Sequence, residues 1–134
     1  MVTQEIVKYQ TANLAKTKGF IKNSAFYYEL EGGECFLNTA HNRIDLIPDH
    51  YIPAPSQTTL QKWLRDEHNI EVYVMVNYYH KGEKLGYYYK ISKFDVHNVH
   101  DGQTYNDDEN RNFLTFEQAL EVGLFKALNL ITKC

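Results

Sequence analysis

His97 and His100, flanked by Asp95 and Asp101, form D-x-H-x-x-H-D, a grouping of imidazole and carboxylate that could hold zinc or another divalent ion. A metal site needs three or four fixed ligands, and an acidic loop fixes few of them. The run therefore reads as a solvated polar loop, and no metal is assigned. It also lacks the D-x-[DN]-x-[DN]-G register of a calcium hand. Nucleophilic catalysis has no footing: there is no G-x-S-x-G, and Cys35 falls on an expected strand with no basic neighbour in sequence. Phosphate cradles of the G-x-x-x-x-G-K or G-x-G-x-x-G type are missing, so no cofactor is assigned. The carboxylate pairs Asp66/Glu67 and Asp107/Asp108 are adjacent in sequence and read as solvated charge, not as an acid–base pair across a cleft. No residue is assigned a catalytic role, and the balance leans away from an enzyme. A site assembled from distant residues stays open as a third reading.

The grouping that does stand out is aromatic. Six of the 11 tyrosines fall between Tyr73 and Tyr89, inside IEVYVMVNYYHKGEKLGYYYKISKF. That stretch reads as a β-hairpin with a two-residue turn at Lys81-Gly82. Paired positions then place Tyr73 opposite Lys90, Met75 opposite Tyr88 and Tyr79 opposite Lys84. Side chains alternate with period two, so parity divides the cluster. Ile70, Val72, Val74, Val76, Tyr78, Leu85, Tyr87, Tyr89 and Ile91 share an almost wholly apolar face, the expected core face. The other face carries the candidate binding surface: Tyr73, Met75, Tyr79, Lys84, Tyr88 and Lys90. Tyrosine and methionine are common at protein interfaces. Rings flanked by lysines can also stack on single-stranded nucleic acid. An ordinary sheet face, stabilised by cross-strand Tyr–Lys pairs, is the plain alternative.

The elements that must hold this surface follow from punctuation and periodicity. Thr11 offers an N-cap and Gly19 a stop for a short helix, after a lead-in over residues 4–9 that is either a short strand or disordered. Gly32-Gly33 marks a second hairpin that pairs Leu30 with Cys35, Tyr28 with Leu37 and Glu29 with Phe36. Pro48, Pro53 and Pro55 make residues 39–55 irregular. Ser56 caps a helix over residues 57–68 with Leu60, Trp63 and Leu64 as its buried stripe; Gln61, Lys62, Arg65 and Asp66 face away, and His68-Asn69 closes it. Residues 95–112 read as a long acidic loop with room for a short edge strand. Thr115 and Gln118 form a capping box that opens the last helix, whose buried stripe is Phe116, Leu120, Gly123, Leu124, Ala127 and Ile131. Glu117 and Glu121 lie early in it, as the helix dipole prefers. Val122 and Phe125, next to Asn129, sit off that stripe. They read as a widening of the core face or as a secondary interface for a partner or a second subunit.

Together these elements predict an α+β fold: a small antiparallel sheet of two hairpins covered on one face by two or three helices, in one domain over residues 1–134. At 15.7 kDa the chain can bury about two-thirds of its unfolded surface without a disulfide or metal. The formal charge of −3 disfavours a dedicated nucleic-acid binder, so the expected partner is a protein. Cys35 and Cys134 show no ligand spacing and read as free thiols in a reducing compartment. No secretory signal and no bilayer-spanning apolar run is visible, so the expected setting is cytoplasmic, with no membrane partner.

Three stretches carry a resemblance. TANLAKTKGF, PAPSQTTLQKWLRDEHNIEVYV and LTFEQALEVGLFKALNLI are similar to a group of small uncharacterised proteins of Bacteroides-type gut bacteria and their phages or prophages. The group's pattern resembles a K-x-K-G-F helix end, an S/A-P-x-Q-x-x-L-Q-K-W-L-R-E-x-H-x-I segment and a closing T-Y/F-E-x-A-L-E-x-G-L-x-x-A-L-x-L-I helix. Phe116 stands where tyrosine is common, and Asp66 where glutamate is. The resemblance implies a phage or mobile-element origin and a cytoplasmic accessory role; it implies no catalytic residues.

Overall fold

The computed structural model describes residues 5–21, 24–31, 34–39, 51–78, 82, 84–95, 98–106 and 113–131. In chain order its elements are α1 (Tyr9–Thr17), β1 (Phe26–Glu31), β2 (Glu34–Thr39), β3 (Tyr51–Pro53), α2 (Gln57–His68), β4 (Ile70–Tyr78), β5 (Lys84–Asp95), β6 (Asn98–Asn106) and α3 (Phe116–Leu128). The α+β class stands. The two expected hairpins form, but in two separate sheets and not in one, and each gains a third strand, giving antiparallel sheets ordered β2-β1-β3 and β4-β5-β6. In the first, Leu30 pairs with Cys35, Tyr28 with Leu37 and Glu29 with Phe36, the expected register. Gly32 and Gly33, at its turn, lie outside the described residues.

One added strand, β3, falls where irregular chain was expected, and the other, β6, falls in residues 95–112, where a long loop with room for a short edge strand was expected. β3 pairs its Ile52 with Tyr28 of β1, and Pro53 is tolerated because β3 is an edge strand that needs hydrogen bonds on one side only. β6 runs as a nine-residue edge strand along β5, with Lys90 opposite Asn106 and Lys93 opposite Gln103. Its sequence, NVHDGQTYN, has no apolar alternation to announce it; charge and glycine on an edge strand discourage pairing with other chains.

α2 matches its expected limits. The Ser56 hydroxyl accepts from Thr59 N at 3.1 Å, and Asn69 ends the helix in the left-handed region at φ 56°. Leu60, Trp63 and Leu64 are buried. Gln61 does not face away: its Nε2 donates to the Val72 carbonyl and ties α2 to β4. α1 begins two residues before the expected Thr11 cap. Its N-cap position is Lys8, with no side-chain cap, and Gly19 follows its end at φ 107°. Thr11 is buried within the helix because its hydroxyl serves a different partner, Glu121 of α3.

α3 is the hub. It packs on β4 and β5 and also on α1 and α2. Ala119, Leu120, Gly123, Leu124, Ala127 and Leu128 are all buried, more of the circumference than one stripe supplies. Three fully buried leucines contribute about 1.5–3 kcal/mol each. Thr115 caps the helix by accepting from Gln118 N at 3.1 Å. Phe116 is not part of the core: it is 44 % exposed, with its ring edge-on to Tyr87 at 6.2 Å. Among the described residues, no helix is long and apolar enough to cross a membrane.

Candidate functional site

The central hairpin holds the predicted register over most of its length. Ile70 pairs with Lys93, Tyr73 with Lys90, Met75 with Tyr88 and Asn77 with Gly86. The register then slips, and Tyr78 pairs with Lys84. That corrects two expectations, the pairing of Tyr79 with Lys84 and of Tyr78 with Leu85. An extra residue on one strand of an antiparallel pair shifts every partner beyond it. Tyr79 and Lys81 lie outside the described residues, as does the side chain of Lys84.

Parity sorts the faces correctly near the helices and fails at the turn end. Ile70, Val72, Tyr89 and Ile91 are buried, whereas Val74, Val76 and Tyr87 are half-buried. Tyr78 was expected in the core and is 62 % exposed. The cover explains it. Gly123 of α3 sits on Val72 and Tyr89, and the first helical residue, Phe116, only reaches Tyr87. Strand beyond Tyr87 outruns the helix that would bury it.

The outer face brings together four of the six residues named from sequence. Met75 lies in mid-strand and is 42 % exposed. The Tyr88 hydroxyl donates to its sulfur at 3.5 Å, which lays the tyrosine beside the thioether. Tyr73 is half-buried, and its hydroxyl donates to Ser92 Oγ at 2.7 Å, so the ring is held at one end before any ligand arrives. Lys90 is half-buried opposite Tyr73. Below this group, Arg65 of α2 grips Glu71 with Nε and Nη2 at 2.7 and 3.0 Å. α2 and α3 pack on the opposite, core face, which leaves no described helix over Tyr73, Met75 and Tyr88.

The secondary surface on α3 divides. Val122 is half-buried against the core, so it widens the buried stripe. Phe125 is 36 % exposed, and Asn129 is spent on its own helix, Nδ2 donating to the Phe125 carbonyl. Among the described residues, no group of three or more His, Cys, Asp or Glu could hold a metal ion. His97 lies outside that set, as do the side chains of Asp95, His100 and Asp101.

Sequence reasoning missed one polar centre. Glu121 is 8 % exposed, and its carboxylate joins three elements. Oε2 accepts from Lys8 N at 3.0 Å and from the Thr11 hydroxyl, and Oε1 accepts from Gln57 Nε2 at 3.0 Å. Gln57 Nε2 also reaches the Glu117 carbonyl at 2.9 Å. Glu121 thus supplies the start of α1 with the acceptor that no local side chain offers. The signal was present: Glu121 stands three residues before Leu124 and seven before Leu128, the spacing of a buried stripe. It lines a cleft of about 710 Å³ with Glu5, Lys8, Glu117 and Val122. Acid–base catalysis needs a carboxylate that can reach substrate. Glu121 is already held by three donors, and its work is to join helices.

His68 closes α2 with its ring 4.6 Å from Trp63, edge-on. Burial pushes its pKa below the usual histidine value, with Lys93 acting in the same direction and Glu67 opposing. Comparison of the chain with protein-family models, curated proteins and solved structures finds no match.

Proposed function

We propose that the protein is a non-enzymatic accessory protein that works by binding another protein through the outer face of β4 and β5. Tyr73, Met75 and Tyr88 are its contact residues, and Lys90 favours an acidic group on the partner. The phage or mobile-element origin belongs to the same proposal. One observation carries it: a methionine in the middle of a sheet face is 42 % exposed, with Tyr88 beside it and no described helix over it. A side chain this apolar gains from being covered. Its two aromatic neighbours are already positioned by hydrogen bonds, which lowers the ordering cost of binding.

The test is affinity capture or crosslinking with the native chain and with Tyr73→Ala/Tyr88→Ala. The double variant should lose the captured protein while keeping its fold by circular dichroism; undiminished capture refutes the reading. Single-stranded nucleic acid would meet the same rings. It stands second because the chain carries a formal charge of −3. An oligonucleotide titration at low ionic strength, where backbone contacts are strongest, separates the two.

A further inference from the structure

We infer that Met75 is a site of reversible oxidation, at which a peroxide turns the outer face of β4 and β5 from apolar to polar. The inference rests on the binding face proposed above and names its regulation. The chain has two methionines, Met1 and Met75. Met75 is 42 % exposed, so a small oxidant reaches the side chain without any opening of the fold. Its sulfur is not symmetrically free. The Tyr88 hydroxyl donates to it at 3.5 Å. A thioether sulfur has two lone pairs; Tyr88 engages one and leaves the other to the oxidant.

The step is a two-electron oxidation. The open lone pair attacks one oxygen of hydrogen peroxide, the O–O bond breaks and an S–O bond forms. The departing hydroxide takes the proton from the transferred oxygen and leaves as water. Sulfur is oxidised by two electrons and the peroxide is reduced by two. The product is a polar sulfoxide at the centre of the patch, and the sulfur becomes a stereocentre. Attack on the lone pair not held by Tyr88 gives mainly one epimer. Methionine sulfoxide reductases exist in two kinds, each specific for one epimer, so they read that outcome and reverse it.

The experiment treats the whole chain with hydrogen peroxide and follows Met75 by peptide mass mapping, which separates it from Met1. Met75 should gain one oxygen within about tenfold of the rate of a methionine in a short peptide, because its side chain is open to solvent. One of the two reductases should remove nearly all of that oxygen. In Tyr88→Phe, which lacks the hydroxyl, both reductases should be needed. A rate more than about tenfold below the peptide's overturns the site; an even mixture of epimers in the native chain overturns the role of Tyr88. Capture of the partner should fall in proportion to Met75 sulfoxide and return on reduction. If oxidation leaves capture intact while Tyr73→Ala/Tyr88→Ala abolishes it, the switch fails and the binding face stands. If capture is indifferent to both, the binding face fails and the switch with it.

Discussion

Gly123→Ala sets two effects of known size against each other. Gly123 lies inside α3, where alanine favours the helix by about 1 kcal/mol over glycine. The space around it argues the other way. A Cβ at this position would stand 2.9 Å from Val72 Cγ1, 3.0 Å from Tyr89 Cβ and 3.1 Å from Tyr89 Cγ. Carbon atoms prefer about 3.5–4.0 Å, so three contacts are too close by roughly half an ångström or more. None of these neighbours yields easily. Val72 is β-branched and stiff at χ1, and the Tyr89 Cβ moves only with its strand. Relief has to come from lifting α3 off the sheet, which loosens the packing of Leu120 and Leu124. A gap of 0.5–1 Å already forfeits about a quarter to a half of each dispersion contact. Overpacking of this kind costs about 1–3 kcal/mol. Packing should win, leaving the variant about 1 kcal/mol less stable. Urea unfolding followed through Trp63, the chain's one tryptophan, measures it. Adding Val72→Ala removes the closest atom, so the double variant should lose less than the two single changes added together. A Gly123→Ala protein about 1 kcal/mol more stable than the native chain would show that helix and sheet separate freely, and would refute the close approach as the reason for glycine.

Two further outcomes follow from the polar groups of the interior. Glu121→Ala strands Lys8 N and the Thr11 hydroxyl, leaves Gln57 Nε2 with only the Glu117 carbonyl, and should cost about 3 kcal/mol; a urea midpoint within error of native would mean that the clasp contributes nothing. Partial burial lowers the pKa of His68, so the folded chain takes up its proton at lower pH than the unfolded chain. The stability this confers is complete above the free imidazole value of about 6.5 and declines as pH falls from there through the lowered folded value. Native protein should therefore lose more stability than His68→Gln between pH 7.5 and 5, and equal losses in paired urea titrations would contradict the burial of His68.

How far the chain could be read from its sequence depended on whether a local rule or a tertiary partner decided each position. α2 was legible to the residue because Ser56, the Leu60/Trp63/Leu64 stripe and Asn69 are local signals that agree with each other. The first hairpin was legible because Gly32-Gly33 and the flanking aromatic runs set one register. Thr11 was misread because its neighbourhood offers a good cap, while the acceptor that satisfies the start of α1 comes from Glu121, 110 residues away. The same distance hid Glu121, which looks like a dipole-compensating surface carboxylate until α1 and α2 are folded against it. β6 could be read only as room for a short edge strand, with neither its limits nor its length of nine residues, because an edge strand paired on one side needs no apolar alternation.

The tyrosine cluster shows where parity stops being evidence. Alternation places a side chain on a face; it does not say how far the cover on that face extends. Tyr89 and Tyr78 are assigned the same face, yet Tyr89 lies under Gly123 while Tyr78 is 62 % exposed. On the outer face the parity assignment needed no cover to be useful. It put Met75 beside Tyr88, and the Tyr88 hydroxyl meets the sulfur there. The signal that survives folding is therefore smaller and sharper than six tyrosines between Tyr73 and Tyr89. It is one thioether, one hydroxyl donating to it, and a second ring fixed by Ser92, all on a face whose opposite side is filled by α3. Covering an apolar face is favourable and a sulfoxide would make this one polar, so the binding and the oxidation proposed for it would meet at the same atom.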